Sequence, residues 1–143
     1  MTTPDDPGQH PEPMVRNGEP ATVVFVGAGP GDPNLITVAG RDALAVADVV
    51  LYAGSLVNPE LLRWARPGAR VHDTASMDLE ETTAVCLEAA RRGESVVRLH
   101  TGDPALYGAI QEQMVPLEAA GVRCRVIPGV SSAFASAAFL GTQ

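Results

Sequence analysis

The sequence contains no lysine, and all ten of its basic residues are arginines. This absence excludes a P-loop lysine that binds nucleotide phosphates, and it excludes a lysine that forms a Schiff base or acts as a general base. The formal net charge is −7, and no stripe of basic residues interrupts the acidic composition. Because nucleic-acid binding relies on clustered arginine and lysine, we expect no nucleic-acid partner.

Long apolar runs are missing as well. No run approaches the roughly 20 residues of a membrane-spanning helix, and the first residues lack the basic-then-apolar layout of a signal peptide. The only cysteines, Cys86 and Cys124, form no CxxC pair, and the three histidines are not at metal-ligand spacing. We therefore predict a cytoplasmic protein with two separate thiols, no metal and no membrane partner.

The 143 residues give room for one domain with its own core. Residues 1–20, "MTTPDDPGQHPEPMVRNGEP", are rich in proline, glycine and charge and poor in apolar side chains. Such a segment buries too little surface to offset the entropy lost on ordering. We predict a disordered tail over residues 1–20 and a folded domain over residues 21–143.

From Thr22 onward, short apolar runs alternate with segments of helical periodicity. The predicted strands are 22–27, 49–52, 70–74, 95–99 and 123–128, and the predicted helices are 35–47, 59–65, 78–92, 106–120 and 131–140. The first helix is predicted to have one apolar side, formed by Leu35, Val38, Ala39, Ala43 and Val46. Five strands alternating with helices predict an α/β fold with a doubly wound, mainly parallel five-stranded sheet.

Ligands of such sheets bind beyond the carboxyl ends of the strands, at a switch in strand order. Here the strand ends lead into five loops: "GAGPGDP", "YAGSLVN", "DTASM", "HTGDPALYG" and "PGVSS". We expect these loops to converge on one site.

The first loop has glycines but is poorly suited to a phosphate. In the dinucleotide pattern G-x-G-x-x-G, Gly27 and Gly29 fill the first two positions, but the third is Asp32. Pro30 removes one N–H donor, and the carboxylate of Asp32 repels a phosphate by about 4 kcal/mol at 4 Å and an effective dielectric of 20. The glycine signal therefore argues against a nucleotide phosphate.

A second Gly-Asp-Pro follows the fourth predicted strand, at residues 102–104. A purely structural interpretation is open for each loop, with glycine turning the chain and aspartate capping the next helix. Two such loops on one sheet edge, with "PGVSS" as a third, favour a ligand site. S-adenosylmethionine has cationic groups, an adenosine and no phosphate, and it suits such loops.

Three segments carry a resemblance to a known family: "VGAGPGDPNLITVAGRDALAVADVVLYAG", "VVRLHTGDPALYGAI" and "VIPGVSSAFASAA". Over about residues 22–141 the chain resembles the tetrapyrrole methylases, which use S-adenosylmethionine to methylate carbon atoms of corrin and porphyrin precursors. "LYAGSLVNPELL" and "RLHTGDPALYGAI" are most similar to the branch that methylates precorrin-4 at C11 in cobalamin biosynthesis. The resemblance implies a fold of two α/β domains with the cofactor between them. It also implies that this chain corresponds to the N-terminal domain, without the C-terminal one.

The resemblance also implies roles for individual residues. For the cofactor it implies apolar, backbone, carboxylate and hydroxyl contacts from Pro30, Thr101, Gly102, Asp103, Leu106, Ser131 and Ser132. The substrate trough is expected to be faced by Gly29, Gly31 and Asp32. The substrate itself is a polycarboxylate, so local arginines have to compensate for the acidic domain. The full-length relative is expected to be a homodimer.

One departure concerns the proton acceptor. Some porphyrinogen methylases carry a carboxylate directly after the tyrosine of the second strand, but here Tyr52 is followed by Ala53. This favours the precorrin-4 branch over uroporphyrinogen-III methylation and leaves the catalytic base unassigned. A structural role and a site role both stay open for His100. The alternative hypotheses for the function of the chain are a uroporphyrinogen-III methylase, a diphthine synthase, and an inactive domain or ligand-binding remnant.

Overall fold

A computed structural model describes residues 15–16, 19–106 and 108–142, with side chains from Ala21 onward. Most of the predicted tail, residues 1–20, lies outside the described residues. Within it, β1 (Val15–Arg16) and β2 (Glu19–Pro20) pair as a short antiparallel ribbon.

The main sheet has five parallel strands in the order β5-β4-β6-β3-β7, which confirms the predicted fold class. These strands are β3 (Thr22–Gly27), β4 (Val49–Tyr52), β5 (Arg70–Asp73), β6 (Val96–His100) and β7 (Arg123–Ile127). The three inner strands are rich in valine and buried on both faces, as is typical of a parallel sheet covered by helices.

Helices cover both faces of the sheet, so the fold is doubly wound. They are α1 (Val38–Val46), α2 (Leu79–Arg91), α3 (Ile110–Ala119) and α4 (Ser132–Leu140), with short 3₁₀ helices at Pro33–Leu35 and Pro59–Trp64. Leu44 of α1 and Leu61 pack in one core layer with Val50 and Val97. The other layer contains residues of α2, α3 and β3. The switch in direction falls between β3 and β6, because the helices that follow them lie on opposite faces.

The apolar side predicted for the first helix is wrong. The helix begins later than expected, because the Thr37 side chain accepts a hydrogen bond from the Gly40 N–H and caps it. Gly40 and Leu44 face the sheet, whereas Val38 and Val46 are 66% and 67% exposed. The missing side chain of Gly40 lets α1 approach β3, since a Cβ there would lie 2.9 Å from Val26 Cγ1.

The helix predicted over 106–120 begins only at Ile110. Ala109 adopts a left-handed conformation with φ of 46°, so regular helical hydrogen bonding cannot start before it. Pro116 lies within α3. The predicted shortening therefore occurs at the start of the helix instead of at the proline.

Four glycines join the loops at the switch point. Gly29 and Gly102 form a backbone bridge, with N–H to oxygen distances of 3.2 and 2.8 Å, and both have positive φ. Gly27, the last residue of β3, lies directly against Gly129 after β7. A Cβ on Gly27 would overlap the Gly129 backbone and lie 2.8 Å from the Gly102 oxygen. The backbone atoms of Gly27, Gly29, Gly102 and Gly129 thus form a floor, called here the glycine floor, between the ends of β3, β6 and β7.

His100, the last residue of β6, points into the layer beneath α2 and α3. Its ring centroid lies 5.8 Å from that of Phe25, and its Nε2 is buried without a hydrogen-bond partner among the described residues. Burial, with a smaller contribution from the nearby Arg98 charge, lowers the pKa of His100 to about 4. The imidazole is therefore neutral at pH 7.

Replacing Gly27 with alanine tests the glycine floor. We expect Gly27→Ala to lower the free energy of unfolding by about 3 kcal/mol, because the added methyl group meets backbone atoms that cannot rotate away. Gly68→Ala is the matched control. Gly68 has positive φ but open space around it, so we expect a loss of about 1 kcal/mol from backbone strain. Urea unfolding measures both, and equal losses would contradict the proposed contact.

His100 predicts a specific dependence of stability on pH. Its pKa is lower in the folded state than the usual 6.5, so the unfolded chain binds the proton more tightly. The contribution of this pKa difference to the free energy of unfolding is complete above pH 6.5. It is lost as the pH falls toward 4, by up to about 3 kcal/mol. We expect His100→Gln to show a shallower fall in unfolding free energy over this range, while His72→Gln retains the wild-type fall. Parallel curves for all three proteins would show that His100 does not cause it.

Candidate functional site

The five loops meet at the carboxyl edge of the sheet, as the sequence predicts. The bridge between Gly29 and Gly102 joins the loops after β3 and β6. Further hydrogen bonds between loops, described below, connect the other three. The edge is therefore one continuous surface built mainly from loop backbone.

Asp103 holds the loops after β6 and β7 together. One of its carboxylate oxygens accepts a hydrogen bond from the Ala105 N–H at 2.8 Å, and the other accepts from the Gly129 N–H at 2.9 Å. The first bond stabilises the turn at residues 103–106, and the second fixes Gly129 against the glycine floor. Asp103 thus caps its own turn and also joins two of the loops at the sheet edge.

Asn58 connects the loop after β4 to the first glycine loop. Its Nδ2 donates to the carbonyl oxygen of Gly31 at 2.8 Å, while its Oδ1 accepts from the Glu60 N–H and begins the second 3₁₀ helix. Gly31 has a φ of 130°, which few other residues adopt, and space around its α-carbon is open. Asn58 thus fixes a loop position that has open space beside it.

Asp73 connects the loops after β4 and β5. Its Oδ1 accepts hydrogen bonds from the N–H groups of Gly54 and Ala75, both at 2.9 Å. These two bonds lower the pKa of the Asp73 carboxyl group, with the bond from Gly54 first in size. The residue stays ionised and holds two loops at the exposed edge.

The predicted site residues differ in how closely the structure brings them together. Gly29, Gly102, Asp103 and Ser131 form the tight centre, where Ser131 is buried and its Oγ caps α4 by accepting from the Ala133 N–H. Asp32 is exposed, and its carboxylate accepts from the Asn34 N–H at 2.8 Å. The others lie around this centre with exposed or half-buried positions: Pro30, Gly31, Thr101, Leu106 and Ser132.

The charges of this edge define the ligands that fit it. The five loops contain the carboxylates of Asp32, Asp73 and Asp103 and no arginine, and their one histidine, His100, packs against Phe25 with its Nε2 buried. At Gly27 and Gly129 a Cβ would collide with neighbouring backbone, so the floor is main chain and carries no side chain that would hold a ligand away. The arrangement suits a molecule with its own positive charge and hydroxyl groups and without phosphate, which fits S-adenosylmethionine.

Sequence reasoning missed Asn58, Asp73 and Gly129 as site-shaping residues. Their partners lie 27, 19 and 26 positions away along the chain, so no local pattern contains both members of a pair. The larger grooves of the described structure, of about 340 and 500 Å³, run along α2 and include none of the predicted site residues. None of the described helices combines the length and apolarity needed to cross a membrane.

Comparison with known proteins identifies relatives of the same architecture. The chain is 52% identical to the cobalt-precorrin-4 C(11)-methyltransferase of Methanocaldococcus jannaschii, over 85% of this chain and 47% of the relative. It is similar to the crystal structure of a cobalt-precorrin-4 methyltransferase, with a TM-score of 0.82 and 53% identity over 85% of this chain and 51% of that one. It is also similar to the uroporphyrin-III C-methyltransferase of Thermus thermophilus in complex with S-adenyl homocysteine, with a TM-score of 0.69 and 40% identity over 81% and 48% of the two chains.

The chain spans about half the length of the relatives that it matches. The sequence model of the tetrapyrrole (corrin/porphyrin) methylases matches residues 22–143, which include both Gly-Asp-Pro loops and the loop after β7. The chain therefore belongs to the tetrapyrrole methylase family.

Proposed function

We propose that this chain forms the S-adenosylmethionine-binding half of a methyltransferase that methylates precorrin-4 at C11 in cobalamin biosynthesis. The observation that carries the proposal is the paired Gly-Asp-Pro loops, which meet over a floor of backbone with carboxylates but no cation. Relatives at 52% and 53% identity that are named as precorrin-4 methyltransferases support this reaction.

The cofactor supplies an activated methyl group on a positively charged sulfur. The task left to the protein is to align the accepting carbon, the methyl group and the sulfur, and positioning of this kind contributes roughly 7–11 kcal/mol to a reaction. In our proposal, Thr101, Gly102, Asp103 and Ser131 hold the cofactor, with Pro30, Leu106 and Ser132 at its margin. Gly29, Gly31 and Asp32 then face the substrate.

Uroporphyrinogen-III methylation is the alternative within the family. The 40% identity to the Thermus thermophilus enzyme is lower than the identity to precorrin-4 methyltransferases. The position after Tyr52 is Ala53, which cannot take up a proton. The nearby Asp73 has its carboxylate bonded to the backbone of Gly54 and Ala75. We therefore favour precorrin-4 as the substrate.

We further propose that activity requires a second domain like the other half of the relatives. Small-molecule sites bury about 70–90% of their ligand, whereas an open sheet edge covers one side. Apolar side chains on α4 also lack cover in the described structure, with Phe139 91% exposed. The homodimer of the full-length enzyme and its cytoplasmic location stay predictions.

Methyl transfer from labelled S-adenosylmethionine to precorrin-4 tests the proposal. We expect no measurable turnover by the 143-residue chain and turnover after it is joined to the C-terminal half of the Methanocaldococcus jannaschii relative. Losing three or four contacts of about 1 kcal/mol each weakens cofactor binding by two to three orders of magnitude. Transfer to uroporphyrinogen-III in preference to precorrin-4 would refute the substrate, and enzyme-like turnover by the isolated chain would refute the need for a second domain.

Replacing Asp103 tests the link between loop structure and cofactor binding. In the joined protein, we expect Asp103→Ala to weaken S-adenosylhomocysteine binding at least tenfold and to lower the unfolding free energy by about 1–3 kcal/mol, because two backbone N–H groups lose their acceptor. Asp32→Ala is the matched control, since it removes a carboxylate that caps only its own turn. Calorimetric titration and thermal unfolding measure both effects. Unchanged affinity in the folded Asp103 variant would show that Asp103 serves structure alone.

A further inference from the structure

Arg98 lies in an environment unlike that of the other arginines. It is on β6, three residues before Thr101, and its side chain is half-buried, while every other arginine with a described side chain is exposed. Arg66, Arg70 and Arg92 each form an ion pair with an aspartate or glutamate. Arg98 forms none with any residue that the structure describes.

The hydrogen bonds of Arg98 are few and long. Its Nε lies 3.4 Å from Gln113 Oε1, and its Nη1 lies 3.4 Å from the Leu99 carbonyl oxygen. Burial lowers the pKa of the guanidinium from its usual value, but arginine keeps its charge at any physiological pH. A buried charge normally has a partner that compensates for its lost hydration. Arg98 therefore has donor capacity that the rest of the described chain leaves unused.

The guanidinium lines a cavity of about 130 Å³ at the carboxyl edge of the sheet. The cavity lies between β6 and the first turns of α2 and α3, and its walls are Thr74, Met77, Asp78, Leu79, Thr82, Arg98 and Gln113. Thr74 directly follows β5, so the cavity belongs to the same edge as the loops of the site. Because about 10–15 Å³ of such space holds one water molecule, the cavity has room for a short chain of several non-hydrogen atoms.

Asp78, Thr82 and Thr74 in the cavity wall each form a hydrogen bond within the protein. The Asp78 carboxylate accepts from the Glu81 N–H at 2.8 Å in a capping box, which accounts for the one acidic residue in the wall. Thr82 Oγ1 donates to the Asp78 carbonyl oxygen at 2.8 Å, and Thr74 Oγ1 donates to that of Tyr52 at 3.3 Å. Met77 and Leu79 add apolar surface. The cavity thus offers a cation without an ion pair among the described residues, two apolar side chains and space for a short chain.

We propose that this cavity binds a carboxylate-bearing side chain, an acetate or a propionate, of the tetrapyrrole substrate, with Arg98 pairing with the carboxylate. The proposal rests on the proposed function for the identity of the ligand. An arginine fork matches the two oxygens of a carboxylate, and Met77 and Leu79 offer apolar surface to a stem of one or two methylene groups. One such contact fixes the rotation of a large, flat ligand relative to the methyl donor. Arg98 is in this view a specificity-determining residue.

The first test uses propionate as the probe on the 143-residue chain. The side-chain Nε–H resonance of Arg98 is assigned by its absence from the spectrum of Arg98→Met. We expect propionate to shift this resonance with saturation, and sodium chloride at equal ionic strength not to do so. The exposed Arg123 provides the matched control resonance, which we expect to stay in place. A resonance of Arg98 that does not move, or that moves equally with chloride, overturns the site.

The second test asks whether the ligand is a tetrapyrrole. Binding of uroporphyrin III, which carries acetate and propionate groups, is followed by the fluorescence of Trp64 and of the porphyrin. We expect Arg98→Met to weaken binding at least tenfold and Arg98→Lys less. Arg123→Met, which makes the same change in net charge, should weaken it less than twofold. Equal losses from Arg98→Met and Arg123→Met overturn the substrate assignment, as does an absence of uroporphyrin binding.

Two further measurements keep the outcomes separate. Circular dichroism establishes whether the variants are folded. If Arg98→Met is unfolded, the comparison of propionate titrations of Arg98→Lys and the wild-type protein decides whether the cavity binds a carboxylate. S-adenosylhomocysteine binding is measured on the joined protein. Its failure counts against the proposed function and leaves the carboxylate site intact, because the propionate titration needs no cofactor.

Discussion

The direct contact of backbone with backbone at the glycine floor is the constraint on which the rest of the structure depends. Gly27 lies against Gly129, and Gly29 is bridged to Gly102. These contacts set how closely the ends of β3, β6 and β7 approach. The loops that leave those ends therefore start close together, and hydrogen bonds of Asp103 and Asn58 fix their conformations. Site geometry is therefore a consequence of strand packing.

Much of the fold was predictable because its signals are local. The inner strands are short segments rich in valine, and α2 begins at an aspartate that forms a capping box with Glu81. The inward side of α1 was not predictable in the same way. Its determinant is Gly40, whose lack of a side chain permits a close approach and leaves no trace in a pattern of apolar residues. The left-handed Ala109 that delays α3 likewise has no sequence signature.

The location of the candidate site was predictable, but only some of the residues that build it were. The Gly-Asp-Pro loops were recognisable because glycine, aspartate and proline each have a restricted role in turns. The side chains that hold these loops in place pair with distant residues, so they became visible only in three dimensions. The placement of Arg98 beside the edge shows the same limit. Its position in β6 could be read from the sequence, whereas its lack of an ion pair could not.

Because the floor of the site is made of main chain, substitutions in the loops and substitutions in the floor have different effects. Apart from Asp103, which fixes Gly129, side chains on the loops above the floor can be exchanged without moving it, because backbone contacts hold it in place. Any residue larger than glycine at Gly27 or Gly129, in contrast, forces the strands apart. One scaffold can therefore diversify what its loops recognise while the position of the reacting groups stays constant. The related enzymes, named for different tetrapyrroles, share this scaffold.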